Sequence, residues 1–141
     1  MKPGGYIEVQ EIDLMGVIQP SSRNPGTAFL QWCELQGKAA AQVGINLRTS
    51  PAFISDHLRR AGFIDIQVHE FRCPIGPWAA GKKLRDAGLL QLSAVLDGLE
   101  GLSLRLFQFY EGGWTREELS VLLAKVRAEL KSRECHAYWP V

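Results

Sequence analysis

The sequence predicts an α+β fold, mostly helical, with two or three short strands. Three observations lead there. Two segments alternate apolar and polar residues with a period of two, whereas longer segments repeat every three to four residues. Gly and Pro clusters punctuate the chain between them. The length of 141 residues bounds the whole to one domain, with no internal repeat and no dividing linker.

The first strand is expected over residues 6–14. Ile7 and Val9 alternate with Glu8 and Gln10, and the apolar phase then slips to Ile12 and Leu14, which implies a bulge or a strand end near Glu11. Residues 19–26 are polar and rich in Pro, Ser and Asn, so they read as a loop. A helix follows over 25–43. Asn24 or Thr27 can cap it, Gly44 can end it, and Phe29, Trp32, Cys33, Ala40 and Val43 form its stripe. A second helix spans 51–61, opened by Ser50-Pro51 and stopped by Gly62, with Ile54, Leu58 and Ala61 inward.

The second strand is expected over 63–73, where Ile64, Ile66 and Val68 alternate with Asp65, Gln67 and His69. Pro74-Ile75-Gly76-Pro77-Trp78 ends it. Residues 82–132 form a helical cap that Gly98, Gly101 and Gly112-Gly113 are expected to break. Leu99, Leu102, Leu106 and Phe109 share one face, while Leu104 and Phe107 lie elsewhere, so the segment needs cover on two sides. Thr115-Arg116-Glu117-Glu118 has the capping-box pattern and opens a helix striped by Leu119, Leu122, Leu123, Val126 and Leu130. Residues 135–141 look like a strand stub.

Charge narrows the function. Sixteen Lys and Arg stand against 15 Asp and Glu, a formal charge of +1. No overall basic field exists to attract nucleic acid or a membrane surface. No apolar run approaches the ~18 residues of a membrane span, and Met1-Lys2-Pro3-Gly4-Gly5 lacks the apolar core of a signal peptide. The three cysteines lack paired spacing, which fits a reducing cytoplasm and gives no metal set.

Further residues carry a resemblance. Lys2-Pro3-Gly4-Gly5-Tyr6-Ile7-Glu8-Val9-Gln10-Glu11, Ala61-Gly62-Phe63, Pro74-Ile75-Gly76-Pro77-Trp78, Gly113-Trp114-Thr115 with Glu117-Glu118, and His136-Ala137-Tyr138-Trp139-Pro140 occur in an order and spacing that resemble one family across nearly the whole chain. That family is the fungal class I S-adenosylmethionine (SAM) methyltransferases of the LaeA-like group, in their C-terminal half. The resemblance implies a truncated Rossmann-like fold on the substrate side of the parent enzyme. In such enzymes a Gly-x-Gly-x-Gly turn approaches the cofactor. This sequence contains no such turn, so no cofactor and no cofactor-binding residue is expected. A sheet this small has open edges, so a homodimer or a partner chain covering them is expected.

Glu11 and Asp13 are candidates at the end of the first strand, as a general base and a polar contact, or else as solvated loop acids. His57 and His69 read as structural. His136 and Tyr138 are candidate proton or hydrogen-bond donors, and His136 equally suits a residue that ties down the end of the fold. Trp32, Trp78, Phe107, Tyr110, Trp114 and Trp139 could line an apolar acceptor pocket, or could be core.

Two functions follow. One is a SAM-independent enzyme that folds an apolar fungal secondary metabolite into a reactive shape for cyclisation or isomerisation, as a pericyclase would. The other is a non-catalytic module that docks onto a methyltransferase-like partner. A fragment of a SAM-dependent methyltransferase is the third alternative. An enclosed cavity holding a polar group would favour the enzyme. A filled core with a large flat apolar patch would favour the module.

Overall fold

The computed structural model describes residues 2–108 and 113–141. Its elements are β1 (Val17–Ile18), α1 (Thr27–Gln42), α2 (Pro51–Arg60), β2 (Arg72–Ile75), α3 (Lys82–Phe107), α4 (Arg116–Lys131) and β3 (Ala137–Pro140). The strands form one sheet in the order β1-β3-β2, and both pairings are antiparallel. Val17 and Pro74 face Tyr138 from opposite sides. The core lies between this sheet and helices α1, α3 and α4, around Phe29, Trp32, Leu99, Phe107, Leu123, Val126 and Trp139.

The strand expected at 6–14 does not form. Ile7 to Gln10 alternate, but a strand needs a hydrogen-bonded neighbouring strand, and among residues 6–14 Asp13 alone bonds to the β3 segment: its N–H donates to Pro140 O at 2.9 Å. The chain rejoins the ladder at Val17 and Ile18. Between these points the register slips, as the phase change at Ile12 foretold, but nearer Gly16 than Glu11. The strand expected at 63–73 shortens to Arg72–Ile75. Asp65 sits at φ 53°, a left-handed conformation that interrupts an extended run and that a short polar side chain tolerates.

The expected breaks at Gly98 and Gly101 are absent, and α3 runs unbroken for 26 residues. Each helical glycine costs about 1 kcal/mol. Burial of Val95, Leu99, Ser103 and Phe107 along one side offsets it. Thr115 caps α4 as expected: its hydroxyl accepts from Glu118 N–H at 3.1 Å, and Glu118 carboxylate accepts from Thr115 N–H at 2.9 Å. The Thr115 N–H, and the Thr115 hydroxyl that donates to the same carboxylate at 2.9 Å, hold the Glu118 carboxyl below its usual pKa.

Neither Asn24 nor Thr27 caps α1. Gly26 occupies the cap position with φ 61° and no side chain to offer. A Cβ added at Gly26 would strike the Ile18 side chain. The free amides of Ala28 and Phe29 instead donate to the two carboxylate oxygens of Glu129, at 3.1 and 2.9 Å. A residue of α4 thus supplies the cap of α1, and it complements the positive end of the helix dipole. Glu129→Ala is expected to destabilise the fold by about 2 kcal/mol in urea unfolding, because two charge-assisted bonds are lost at once. A change below about 0.5 kcal/mol, the range of an ordinary surface substitution, would show that water caps α1 equally well.

Candidate functional site

The end of the sheet holds the two donors singled out from the sequence. His136 is half-buried, and its ring stacks on Trp78 with centroids 5.1 Å apart and planes 19° apart. The Trp78 indole N–H donates to Ala137 O at 2.8 Å, so this tryptophan braces β3 while covering His136. The backbone of His136 is fixed on both sides: its N–H donates to Ser22 Oγ at 3.1 Å, and its carbonyl accepts from Gln19 N–H at 3.0 Å. Tyr138 is half-buried, with the Arg72 guanidinium 5.3 Å from its ring centroid. Tyr138 lies on β3, and His136 immediately precedes that strand.

The other candidates lie elsewhere. Glu11 is exposed on the segment that fails to form a strand. Asp13 is half-buried, and its carboxylate accepts from Met15 N–H at 2.9 Å, so it shapes the register slip. The argument that both acids end a strand at a ligand crevice falls with that strand. Trp32, Phe107 and Trp139 are 4%, 2% and 2% exposed. Trp32 N–H donates to Ser103 Oγ at 2.8 Å, and Ser103 in turn donates to Leu99 O at 2.6 Å. Trp139 packs on Phe29 at 5.3 Å between centroids, and its indole N–H is buried without a partner. Phe107 meets Trp114 edge to face at 5.7 Å. Trp114 borders an open groove with Gln31, Glu117, Val121 and Lys125. Tyr110, like Phe109, lies outside the described residues. Trp32, Phe107 and Trp139 thus belong to one packed core with Trp114 against it, while Trp78 lies at the end of the sheet.

Burial raises the Cys33 thiol to about 12 and the Cys135 thiol to about 11, with the Glu129 carboxylate adding to the second. Neither is a nucleophile at neutral pH. Among the described residues, no group of three or more His, Cys, Asp or Glu side chains could hold a metal ion. Among them too, no helix is long and apolar enough to cross a membrane. Glu129, Ser103 and Ser22 escaped sequence reasoning. Their partners are 101, 71 and 114 residues away, so no local pattern marks them.

Comparison with known proteins finds that the whole chain is similar to part of fungal proteins named as methyltransferases. It is 28% identical over 141 residues to "Probable methyltransferase tdiE" of Emericella nidulans, covering 100% of the chain and 44% of that protein. It is 28% identical over 137 residues to methyltransferase pytC of Aspergillus terreus, covering 97% of the chain and 42% of the relative. This pattern of matches fits a fragment of the LaeA-like group. It is 30% identical over 139 residues to protein-methionine methyltransferase laeA of Emericella nidulans, covering 98% of the chain and 36% of the relative. The chain thus spans less than half the length of the curated relatives it matches. No family model and no solved structure matches.

Proposed function

We propose that this chain is the acceptor-side portion of a SAM-dependent methyl-transfer unit, and that it acts by docking onto a methyltransferase-like chain that supplies the cofactor half. One observation carries the reading. The large aromatics fill the core, while apolar side chains on the strand-like segments face solvent: Tyr6 is 98% exposed, Ile64 83% and Phe71 67%. Apolar surface of this kind marks an interaction face. The names of the relatives supply the methyl-transfer context. Three free thiols suit a reducing, cytoplasmic setting.

Calorimetric titration of SAM into the chain alone is expected to show no binding. Addition of the portion of a LaeA-like methyltransferase that carries the Gly-x-Gly-x-Gly turn is expected to give co-elution on size exclusion and saturable SAM binding. Binding of SAM by the chain alone, or failure to co-elute, would overturn the reading.

The second reading is a SAM-independent cyclase or isomerase acting on an apolar fungal metabolite. One observation favours it: His136, just before β3, is half-buried with the Trp78 indole stacked on its imidazole, two residues from Tyr138. Incubation with an extract of metabolites, with and without SAM, separates the two. A product of unchanged mass that forms without SAM, and is lost in His136→Ala, establishes the cyclase. No such product leaves the docking reading in place.

A further inference from the structure

A small site is built where α1 ends. Gly44, at φ 76°, lets the chain reverse: its N–H donates to Ala41 O at 3.1 Å, and Ile45 N–H donates to Ala40 O at 2.9 Å. The loop then returns along the helix, and Arg48 Nε comes to 4.0 Å from the place a Cβ of Gly37 would take. The return is pinned. Asn46 Oδ1 accepts from Arg48 N–H at 2.9 Å while its Nδ2 donates to Arg48 O at 3.0 Å, and Thr49 Oγ1 donates to Ile12 O at 3.2 Å. Gly37 has no side chain and Ala41, one turn on, adds only a methyl group, so helix and loop do not close on each other. An open trough of about 460 Å³ is left between them. Gly37 and Gly44 are seven residues apart, so the trough is about 10 Å long.

The trough is apolar, with charge at its Gly37 end. Ile45, which is 50% exposed, and half-buried Leu47 come from the loop, and Ala41 comes from the helix. Lys38 and Arg48 bring two cations. Against them stands Glu34, one turn before Lys38, whose carboxylate accepts from Lys38 Nζ at 2.6 Å. Lys38, and Arg48 more weakly, hold the Glu34 carboxyl below its usual pKa. One positive charge is left over, and it sits on Arg48. Asn46 already satisfies the Arg48 backbone groups, and among the described residues the Arg48 guanidinium has no ion pair and no hydrogen bond.

We propose that this trough binds a small carboxylate with an apolar body, its carboxylate on the Arg48 guanidinium and its body between Ala41 and Ile45. A guanidinium offers two parallel N–H donors that match the two oxygens of a carboxylate. The volume suits a small-molecule site, which is mostly apolar with a few polar groups that fix orientation. The length sets the body, since about 10 Å takes a short chain or a single ring. An inorganic anion would leave Ala41 and Ile45 uncovered, and a neutral apolar molecule would leave the guanidinium unused. The site is formed within one chain, so it goes beyond the docking reading and does not depend on it.

The test is an NMR titration of the whole chain with 4-phenylbutyrate, its carboxamide and inorganic phosphate. Backbone N–H resonances of Gly37, Ala41 and residues 44–48 are expected to shift and saturate with the carboxylate at millimolar concentration. The carboxamide, alike in shape and uncharged, is expected to bind about ten-fold more weakly, since it gives up the charge-assisted pair of bonds. Phosphate is expected not to saturate the same resonances. Arg48→Gln is expected to weaken carboxylate binding about ten-fold and to erase the preference for acid over carboxamide. Ala41→Leu, a change on exposed surface, is expected to abolish binding by filling the trough while urea unfolding stays as in the parent. Glu34→Gln is expected to tighten binding about three-fold, because a repelling charge is removed. No binding by the folded parent, equal binding of acid and carboxamide or of acid and phosphate, or parental affinity in Arg48→Gln or Ala41→Leu overturns the proposal.

Discussion

Gly88→Ala is expected to destabilise the fold by about 2–3 kcal/mol, the range for forcing extra atoms into a close-packed contact. Gly88 lies in the first two turns of α3 and is buried. A Cβ at this position would sit 2.1 Å from the carbonyl oxygen of Gly76. That contact involves backbone, and it cannot swing aside. The same two residues are tied by a hydrogen bond, Gly76 N–H to Gly88 O at 2.8 Å, so α3 touches the turn after β2 at bonding distance. The helix would gain about 1 kcal/mol from alanine propensity, and the net loss is what survives that gain. Gly101→Ala is the matched control, because nothing lies within 4 Å of its would-be Cβ. It is expected to raise stability by about 0.5–1 kcal/mol. Urea unfolding of both variants reads the difference. Equal effects would mean that α3 does not approach β2 so closely.

Trp139→Ala is expected to cost about 3–5 kcal/mol, as for other large aromatics removed from a core. Trp139 is 2% exposed and packs on Phe29 of α1, so its loss opens a void between sheet and helix. Trp139→Phe gives the sharper experiment. The indole N–H is buried without a partner, and an unpaired buried donor costs about 1–3 kcal/mol in the native state. Phenylalanine removes that penalty while keeping most of the ring, so the loss is expected to be well below that of alanine. The bearing on function is direct. If Trp139→Phe unfolds as the parent does and also complements a cofactor half as the parent does, this tryptophan is core. If complementation fails in a chain of unchanged stability, Trp139 touches substrate or partner.

The helices were legible in the sequence because their signals are local. Ser50-Pro51 opened α2, and the Thr115–Glu118 box opened α4, each within four residues. The stripe from Leu119 to Leu130 is the buried side of α4. Strands were legible as tendencies only. Tyr6 to Leu14 has the alternation of a strand, yet pairing requires a neighbour, and pattern alone does not say whether one is present. Val17–Ile18, the strand that does form, is too short to announce itself. The cap of α1 was misassigned for a related reason. Asn24 stood nearby, but its side-chain oxygen accepts from Gly26 N–H, and the carboxylate that reaches Ala28 and Phe29 comes from α4.

Candidate site residues divide along the same line. Composition marked Trp32, Phe107 and Trp139 as a concentration of aromatics, but whether such residues line a pocket or fill a core depends on what packs opposite them. Here Ser103, Trp114 and Phe29 do so. His136 and Tyr138 stay half-buried at the end of the sheet, Tyr138 on β3 and His136 just before it under the Trp78 ring.

The strand order β1-β3-β2 has a consequence for how this molecule comes into being. The middle strand is made last: Val17 and Pro74 both wait for Tyr138. As the ribosome extends the chain, α1 can gather its apolar stripe early, but neither outer strand can find a rung until the middle one emerges. The α1 cap waits likewise for Glu129. Until β3 is made, the outer strands β1 and β2 carry unpaired edges. Chaperone dependence during translation, more than instability afterwards, is the vulnerability this topology builds in.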